Sequence, residues 1–283
     1  MPEPSKAVLI TGCSSGIGRA TALRLSRAGW TVYASARRPE SLVELHEAGC
    51  ATLALDVTDE ESMRSAVAQV EQECGAVGVL VNNAGYSQSG AIETVPLEVA
   101  RRQFETNVFG AMRLAQLVLP KMRAQRWGKI VNVGSMGGRL TFPGGGYYHA
   151  TKHALEALSD ALRFEVQGFG IDVILLEPGL ITTEFGNAAA ASMAHNTSDG
   201  ADPYGKFNAA VGAVTQGAYE GPMRRLGAGP EKVARTIERA LSRRRAPTRI
   251  AITPSAKVTI AMRRMLPDRA WDAAMRQQFP QPR

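Results

Sequence analysis

The chain has 283 residues, 45% of them hydrophobic, and carries a net charge of +7. That size fits one large α/β domain with an appendage better than two full domains, and so apolar a composition excludes a disordered chain or a miniprotein dependent on disulfides. Residues 1–220 hold 18 Lys/Arg against 22 Asp/Glu and residues 221–283 hold 15 against 4, so the basic character belongs to the last fifth of the chain.

From the N-terminus, Met1-Pro2-Glu3-Pro4-Ser5-Lys6 runs straight into Ala7-Val8-Leu9-Ile10, an apolar run too short for a secretory segment. No stretch approaches the ~18 apolar residues of a membrane-spanning helix. Strands are predicted at Ala7–Thr11, Thr31–Ala36, Thr52–Val57, Val77–Asn82, Lys129–Val133 and Asp172–Leu176. Their Val, Ile and Leu show little polar alternation, as expected of strands covered on both faces. Helical patterns lie between them at Ile17–Ala28, Ser41–Ala48, Glu60–Cys74, Leu97–Gln125 and Tyr148–Gly168. Alternating strands and helices predict a doubly wound α/β fold with a parallel sheet. Thr182 to Gly229 is rich in Ala, Gly, Ser and Asn with isolated Phe185, Met193, Tyr204, Phe207 and Tyr219, and reads as a substrate lid. A helix over Pro230–Arg245, a strand at Arg249–Ile252 and a basic helical tail from Pro254 to Arg283, interrupted at Pro267, complete the chain. The expected division is a catalytic domain over 1–253, containing the lid at 184–229, and an extension over 254–283.

Thr11-Gly12-Cys13-Ser14-Ser15-Gly16-Ile17-Gly18 joins the first strand to the first helix. Glycines there allow positive φ, close backbone approach to a ligand and tight helix–strand packing. The helix directs its free N–H groups and positive dipole end at the crevice, a setting suited to a pyrophosphate.

This Thr-Gly-x-x-x-Gly-x-Gly loop resembles the cofactor signature of the short-chain dehydrogenase/reductase family. The likeness continues in the family's order through Asn82-Asn83-Ala84-Gly85, Asn107, Ser135, Tyr148-x-x-x-Lys152 and Pro178-Gly179. It implies a Rossmann-like fold to about Ile252 and a nicotinamide cofactor held by Gly12, Ser14, Ser15, Gly16, Ile17 and Gly18. It also implies an adenine-edge contact from Asp56-Val57 at the end of the third strand, and a floor beneath the riboses from Asn83, Ala84 and Gly85. Pro178, Gly179, the Ile181 backbone and the Thr183 hydroxyl would hold the carboxamide. The family's members also suggest a homo-oligomer.

A ribose-binding acid is expected ~20 residues beyond the glycine loop. Ala36 stands there instead, followed by Arg37-Arg38. A missing carboxylate beside a guanidinium able to grip a phosphate argues for NADP(H) over NAD(H).

Tyr148 and Lys152 are four residues apart at a helix start and share one face. Tyr147 does not, because five residues advance about 500° around a helix. An ammonium ~5 Å from the phenol supplies ~3 kcal/mol at an effective dielectric of ~20, enough to bring it from ~10 toward ~8. Tyr148 is therefore expected as the acid/base, and the resemblance gives Lys152 the nicotinamide ribose as a second task. Ser135, at a strand end before Gly137-Gly138, can hydrogen-bond the substrate oxygen; no Gly-x-Ser-x-Gly element suggests a nucleophilic serine. Asn107 is a poor residue within a helical pattern; the resemblance has it shaping the helix and holding a water that relays protons to Lys152.

Leu140, Thr141, Phe142 and Pro143, with the lid aromatics, suit a lipophilic ketone or secondary alcohol. The stretch from Tyr148 to Pro178 is similar to the steroid- and retinoid-active branch of the family. A cofactor-binding regulator without turnover is the rival reading, and the intact Asn-Ser-Tyr-Lys set argues against it. No nucleic-acid motif accompanies the tail's charge. Cys13, Cys50 and Cys74 stand at no metal spacing and, with four histidines in all, predict no metal site and reduced thiols in a cytoplasmic protein. In the tail, Val258, Ala261, Met262, Met265 and Leu266 fall on one helical stripe, with Lys257, Arg263 and Arg264 away from it and Trp271 and Met275 continuing an apolar face. Packing against the domain or a partner subunit is expected of that stripe; a peripheral membrane contact is the sharper alternative.

Overall fold

A computed structural model describes residues 3–184 and 203–282. Seven strands, β1 (Val8–Ile10), β2 (Val32–Ala36), β3 (Ala51–Ala54), β4 (Val79–Asn82), β5 (Gly128–Val133), β6 (Ile171–Glu177) and β7 (Arg249–Ala251), form one sheet in the order β3-β2-β1-β4-β5-β6-β7. Every pairing is parallel.

Both faces of the sheet are covered. Val8 and Ile10 of β1 pack on one side with Ala22 and Leu25 of α1 (Gly16–Arg27), and Val233 and Ile237 of the helix Pro230–Leu241 join them. Leu9 points the other way, to Met63 and Val67 of Glu60–Cys74 and to Leu114 and Val118 of Gly110–Ala124. Alternate residues of one short strand thus enter opposite cores, which is why the strands show no polar alternation. Strand order reverses between β1 and β4, and the crevice at their carboxyl ends is the place where such sheets bind ligands. Among the described residues no helix is long and apolar enough to cross a membrane.

In chain order the remaining helices are α2 (Val43–Glu47), α3 (Glu60–Cys74), α4 (Leu97–Phe104), α5 (Gly110–Ala124), α6 (Gly146–Val166), α7 (Gly205–Glu220), α8 (Pro230–Leu241), α9 (Pro254–Met265) and α10 (Asp268–Gln278).

Four expectations are corrected or refined. The third strand stops at Ala54, so Asp56 and Val57 lie beyond it: the Asp56 carboxylate accepts from the Thr58 N–H and hydroxyl at 2.9 and 2.8 Å and turns the chain toward α3. The single helix expected over Leu97–Gln125 runs without a gap but contains a π turn at Glu105–Phe109, centred on Asn107. In the expected lid, Phe185 and Met193 lie outside the described residues, but 205–220 is a regular helix. Its Phe207, Val211 and Val214 pack with Leu140, a periodic face diluted in the sequence by Gly205, Gly212 and Gly217.

The fourth correction concerns the tail. Within the single chain Val258, Met262 and Met265 of α9 are exposed, Met265 at 75%, while Leu266 of the same stripe packs with the cluster around Leu140. Ala256 is buried instead, and the Thr253 and Ser255 hydroxyls accept from the Gly179 and Leu180 N–H groups at 3.1 Å each. These two bonds fix the rotation of α9 about its axis and leave Val258, Met262 and Met265 facing outward. Arg263 turns inward, its guanidinium 5.7 Å from the centre of the Trp271 ring. Trp271, Met275 and Phe279 are buried against Leu140 and Val211, so α10 is part of the core.

Candidate active site

Residue size shapes the glycine loop. Gly12 has φ +70°, and a Cβ there would lie 2.9 Å from Ala84 Cα; one on Gly18 would lie 2.3 Å from the Gly12 carbonyl oxygen. Asn83 holds the loop from below, its amide donating to the Thr11 and Gly12 carbonyls at 2.9 and 3.0 Å. The Thr11 hydroxyl accepts from the Asn83 and Ala84 N–H groups. The Asn83 side chain is therefore committed to the turn, and Ala84 and Gly85 are left to form the crevice floor. Helix α1 begins at Gly16 with no side-chain cap on Ser15 and no acid in its first turn. Its free N–H groups face the crevice beside Ser14 and Ile17, a ready anion site. Across the gap, Thr183 Cγ2 is 3.3 Å from where a Gly16 Cβ would be, which brings the two loops together.

At the end of β2, Ala36 is buried while Arg37 and Arg38 are exposed, and neither arginine is in an ion pair among the described residues. Pro39 and Glu40 begin a 3₁₀ turn, so no carboxylate takes the ribose position.

The catalytic candidates converge from three elements. Ser135 ends the β5 segment and caps the turn Met136–Gly138, its hydroxyl oxygen accepting from the Gly137 N–H at 3.0 Å. The Ser135 hydroxyl lies close enough to the Tyr148 phenol, in the first turn of α6, to favour its ionisation, and Tyr219 of α7 is near as well. Lys152 Nζ lies 5.7 Å from the centre of the Tyr148 ring and donates to the Val133 carbonyl at 2.9 Å. Burial pulls the Lys152 ammonium down to about 8. The phenol is not lowered as expected: burial raises it above its ordinary range, against the Ser135 hydrogen bond that favours ionisation. Desolvation of the phenolate outweighs the lysine here, because the ammonium is itself buried and turned to a backbone carbonyl.

Asn107 donates to the Tyr86 carbonyl at 2.9 Å and to the Thr151 hydroxyl at 3.1 Å, and accepts from the Tyr86 N–H at 3.1 Å. It thus fixes the segment that follows Gly85 to the helix that carries Tyr148, and π turns of this kind are frequent at functional sites. The Pro178 carbonyl accepts from the Met136 N–H at 2.8 Å, and Ile181 bridges to Ala228. Pro178, Gly179, Ile181 and Thr183 thereby border the crevice opposite Gly16.

Three contributors escape a reading of the sequence. His149 Nδ1 lies 3.1 Å from the Gly137 carbonyl, and burial holds the imidazole down to about 4, so a neutral ring supports the Ser135 turn. A histidine directly after the tyrosine was the available signal. Thr253 and Ser255 are ordinary helix-start residues whose contact with Gly179 and Leu180 has no sequence mark.

The chain matches the family described as short chain dehydrogenase over residues 6–194. It is 36% identical over 272 residues to the 3-ketodihydrosphingosine reductase of Bacteroides thetaiotaomicron, covering 95% of this chain and 96% of that protein. It is 33% identical to the NADPH-dependent 3-dehydrocapnine reductase of Ornithobacterium rhinotracheale, covering 93% and 94%. A short-chain dehydrogenase structure from Streptomyces avermitilis superposes with a TM-score of 0.78 at 36% identity, covering 97% and 98%. With this site on this sheet, and matches that span nearly its whole length, the chain belongs to the short-chain dehydrogenase/reductase family of oxidoreductases.

Proposed function

We propose that the protein is an NADP(H)-dependent oxidoreductase that interconverts a lipophilic ketone and its secondary alcohol, with Tyr148 as acid/base. The observation that carries this reading is the meeting of Ser135, Tyr148 and Lys152 beside a glycine-lined crevice. The residues present fit the cofactor: a Cβ on Gly12 or Gly18 would fill the cradle, the α1 N-terminus is uncapped, and Arg37 and Arg38 are exposed and in no ion pair among the described residues. When bound, a nicotinamide donates or accepts the hydride.

Gly12 to Gly18, with Ser14, Ser15, Gly16 and Ile17, would hold the pyrophosphate, and Arg37 and Arg38 the 2′-phosphate. Asp56 and Val57 would meet the adenine edge; the Asn83 backbone, with Ala84 and Gly85, would underlie the riboses. Lys152 would bind the nicotinamide ribose, and Pro178, Gly179, Ile181 and Thr183 the carboxamide. The Tyr148 phenol, protonated at neutral pH, is suited to give its proton to the oxygen of a carbonyl being reduced, while Ser135 shares the charge on that oxygen. Asn107 positions the helix that carries both Tyr148 and Lys152.

For substrate, the names of the two relatives point to 3-keto compounds. A cleft of roughly 740 Å³ beside the start of α6, lined by neither Ser135 nor Tyr148, supports a largely apolar partner: Ile92, Leu140, Phe142, Phe207, Trp271 and Phe279 are among its walls, with Arg139, Arg263 and Arg276 at polar positions. A long-chain 3-ketone is therefore the substrate class proposed. The lid reading of 184–229 extends to α7, which supplies Phe207. The exposed Val258, Met262 and Met265, flanked by Lys257 and Arg264, suit contact with an anionic membrane surface, and exposed Phe109 and Phe164 suit a homo-oligomer. A cytoplasmic location accords with three unpaired cysteines.

Purified protein assayed with long-chain 3-ketones should turn over with NADPH and prefer it to NADH in kcat/KM. Ala36→Asp with Arg37→Ala should move that preference toward NADH. Turnover of none of these ketones with either cofactor would overturn the substrate class; a wild-type preference for NADH would overturn the reading of Arg37.

A further inference from the structure

A charge cluster lies behind the catalytic segments. Glu177 ends β6 directly before Pro178-Gly179 and is 4% exposed; Glu156, one helical turn past Lys152 on α6, is 7% exposed. Arg249 of β7 donates to Glu156 Oε2 at 3.0 Å from Nε and 2.9 Å from Nη2, and its Nε lies 3.1 Å from Glu177 Oε1. Arg249 Nη2 also donates to Asp160 Oδ2 at 2.9 Å, and Asp160 accepts from Arg163 on the same helix. Arg139, which closes the Ser135 turn, has Nη1 3.5 Å from Glu177 Oε1 and 3.6 Å from Glu156 Oε2.

Both carboxylates converge on the same guanidinium nitrogens, Arg249 Nε and Arg139 Nη1, which brings the two buried glutamates together. Ionised carboxylates only accept and, buried side by side, repel each other, which favours one proton between them. Glu156 Oε1 is buried without a donor, and buried acceptors of this kind normally have one. One shared proton accounts for both observations. Burial and then the like charge of Glu156 push the Glu177 carboxyl up to about 7, against the pull of Arg139 and Arg249.

The cluster joins three segments of the site. Glu177 leads into the loop that reaches Thr183. Arg139 ends the turn that Ser135 caps, and that turn is tied to the same loop by the Met136–Pro178 hydrogen bond. Glu156 packs so closely on the turn that a Cβ on Gly138 would be 2.8 Å from its Cγ. We propose that Glu177 is a positioning residue: sharing a proton with Glu156 between Arg139 and Arg249, it sets how the Pro178–Thr183 loop and the Ser135 turn are placed to receive the cofactor. The proposal rests on the reading of that loop as part of the cofactor site. Loss of the proton leaves two buried carboxylates repelling each other across the junction, which loosens the loop. A carboxyl raised by folding contributes stability at low pH that is lost as pH rises through its folded value, so stability and cofactor affinity should decline together.

NADPH affinity by fluorescence titration and thermal melting, both from pH 5.5 to about 8.5, test this in wild type, Glu177→Gln and Glu156→Gln. Wild type should lose melting temperature and at least about fivefold in NADPH affinity across a step near neutrality. Glu177→Gln should lack both steps and keep the low-pH affinity. Glu156→Gln should keep a step moved to lower pH, because the charge that helps raise Glu177 is gone. The cofactor's own ionisation is common to all three proteins. An affinity step unchanged in Glu177→Gln would overturn the proposal, whether or not the melting step disappears. Failure of wild type to bind NADPH at any pH would overturn the cofactor reading instead, and the melting profiles would still decide whether the proton is shared.

Discussion

The glycine loop borders the crevice at the end of β1 and the C-terminal helices border the neighbouring cleft, and the two are held in place by different physics. Between Thr11 and Gly18 the backbone itself is the constraint: Gly12 sits at φ +70°, the Gly18 position leaves no room for a Cβ, and Asn83 and Thr11 fasten the turn through main-chain partners. From Gly205 to Phe279 the constraint is side-chain packing of Val211, Trp271, Met275 and Phe279 around Leu140, with two hydroxyls from Thr253 and Ser255 as pins. Steric demands on a backbone admit few residue types. Packing admits any apolar set of the right volume. One site can therefore have a wall fixed by residue identity and another fixed only by shape.

This contrast can be broken by mutation. Trp271→Ala should have the largest effect on folding, about 3–5 kcal/mol, since a buried indole leaves a cavity that its neighbours fill incompletely. Its denaturation midpoint measures this, and a cost below about 1 kcal/mol would show that α10 is an appendage rather than core. Gly18→Ala should cost about 1–3 kcal/mol, read chiefly as weaker NADPH binding because the methyl group displaces the Gly12 carbonyl. Wild-type affinity in that variant would contradict the steric account of the loop.

The same contrast decides what the sequence makes legible. The strands, the parallel sheet and the residues from Gly12 to Thr183 are readable because glycines, Asn107, Ser135, Tyr148 and Lys152 stand at spacings that backbone geometry and proton chemistry impose. The outward turn of α9 is not, because the stripe Val258, Met262, Met265 has the periodicity of a packed face and only the contacts of Thr253 and Ser255 rotate it away. Helix α7 is obscured by its glycines. The height of the Tyr148 phenol also lies beyond the sequence: a charge four residues away is visible there, while burial of the phenol and the hold of Val133 on Lys152 are not. The likeness to the steroid- and retinoid-active branch finds no counterpart in the names of the two relatives, which refer to other ketones.

The smallest effect sharpens the comparison from the other side. Ser255→Ala removes the acceptor of the Leu180 N–H, a bond of about 1 kcal/mol net. NADPH affinity should fall about fivefold with little change in melting temperature. No change in affinity would mean that the tail only covers the site and does not hold the loop.

The central claim is that Tyr148 supplies the proton in a carbonyl–alcohol interconversion whose cofactor is held by other residues. Turnover of a long-chain 3-ketone by wild type and Tyr148→Phe, with NADPH affinity measured on the same preparations, tests it most directly. The expected result is a loss of at least about 10²-fold in kcat with NADPH affinity within about threefold of wild type, because the glycine loop and Arg37 are untouched. Retention of more than about a hundredth of the wild-type rate would contradict the assignment of Tyr148.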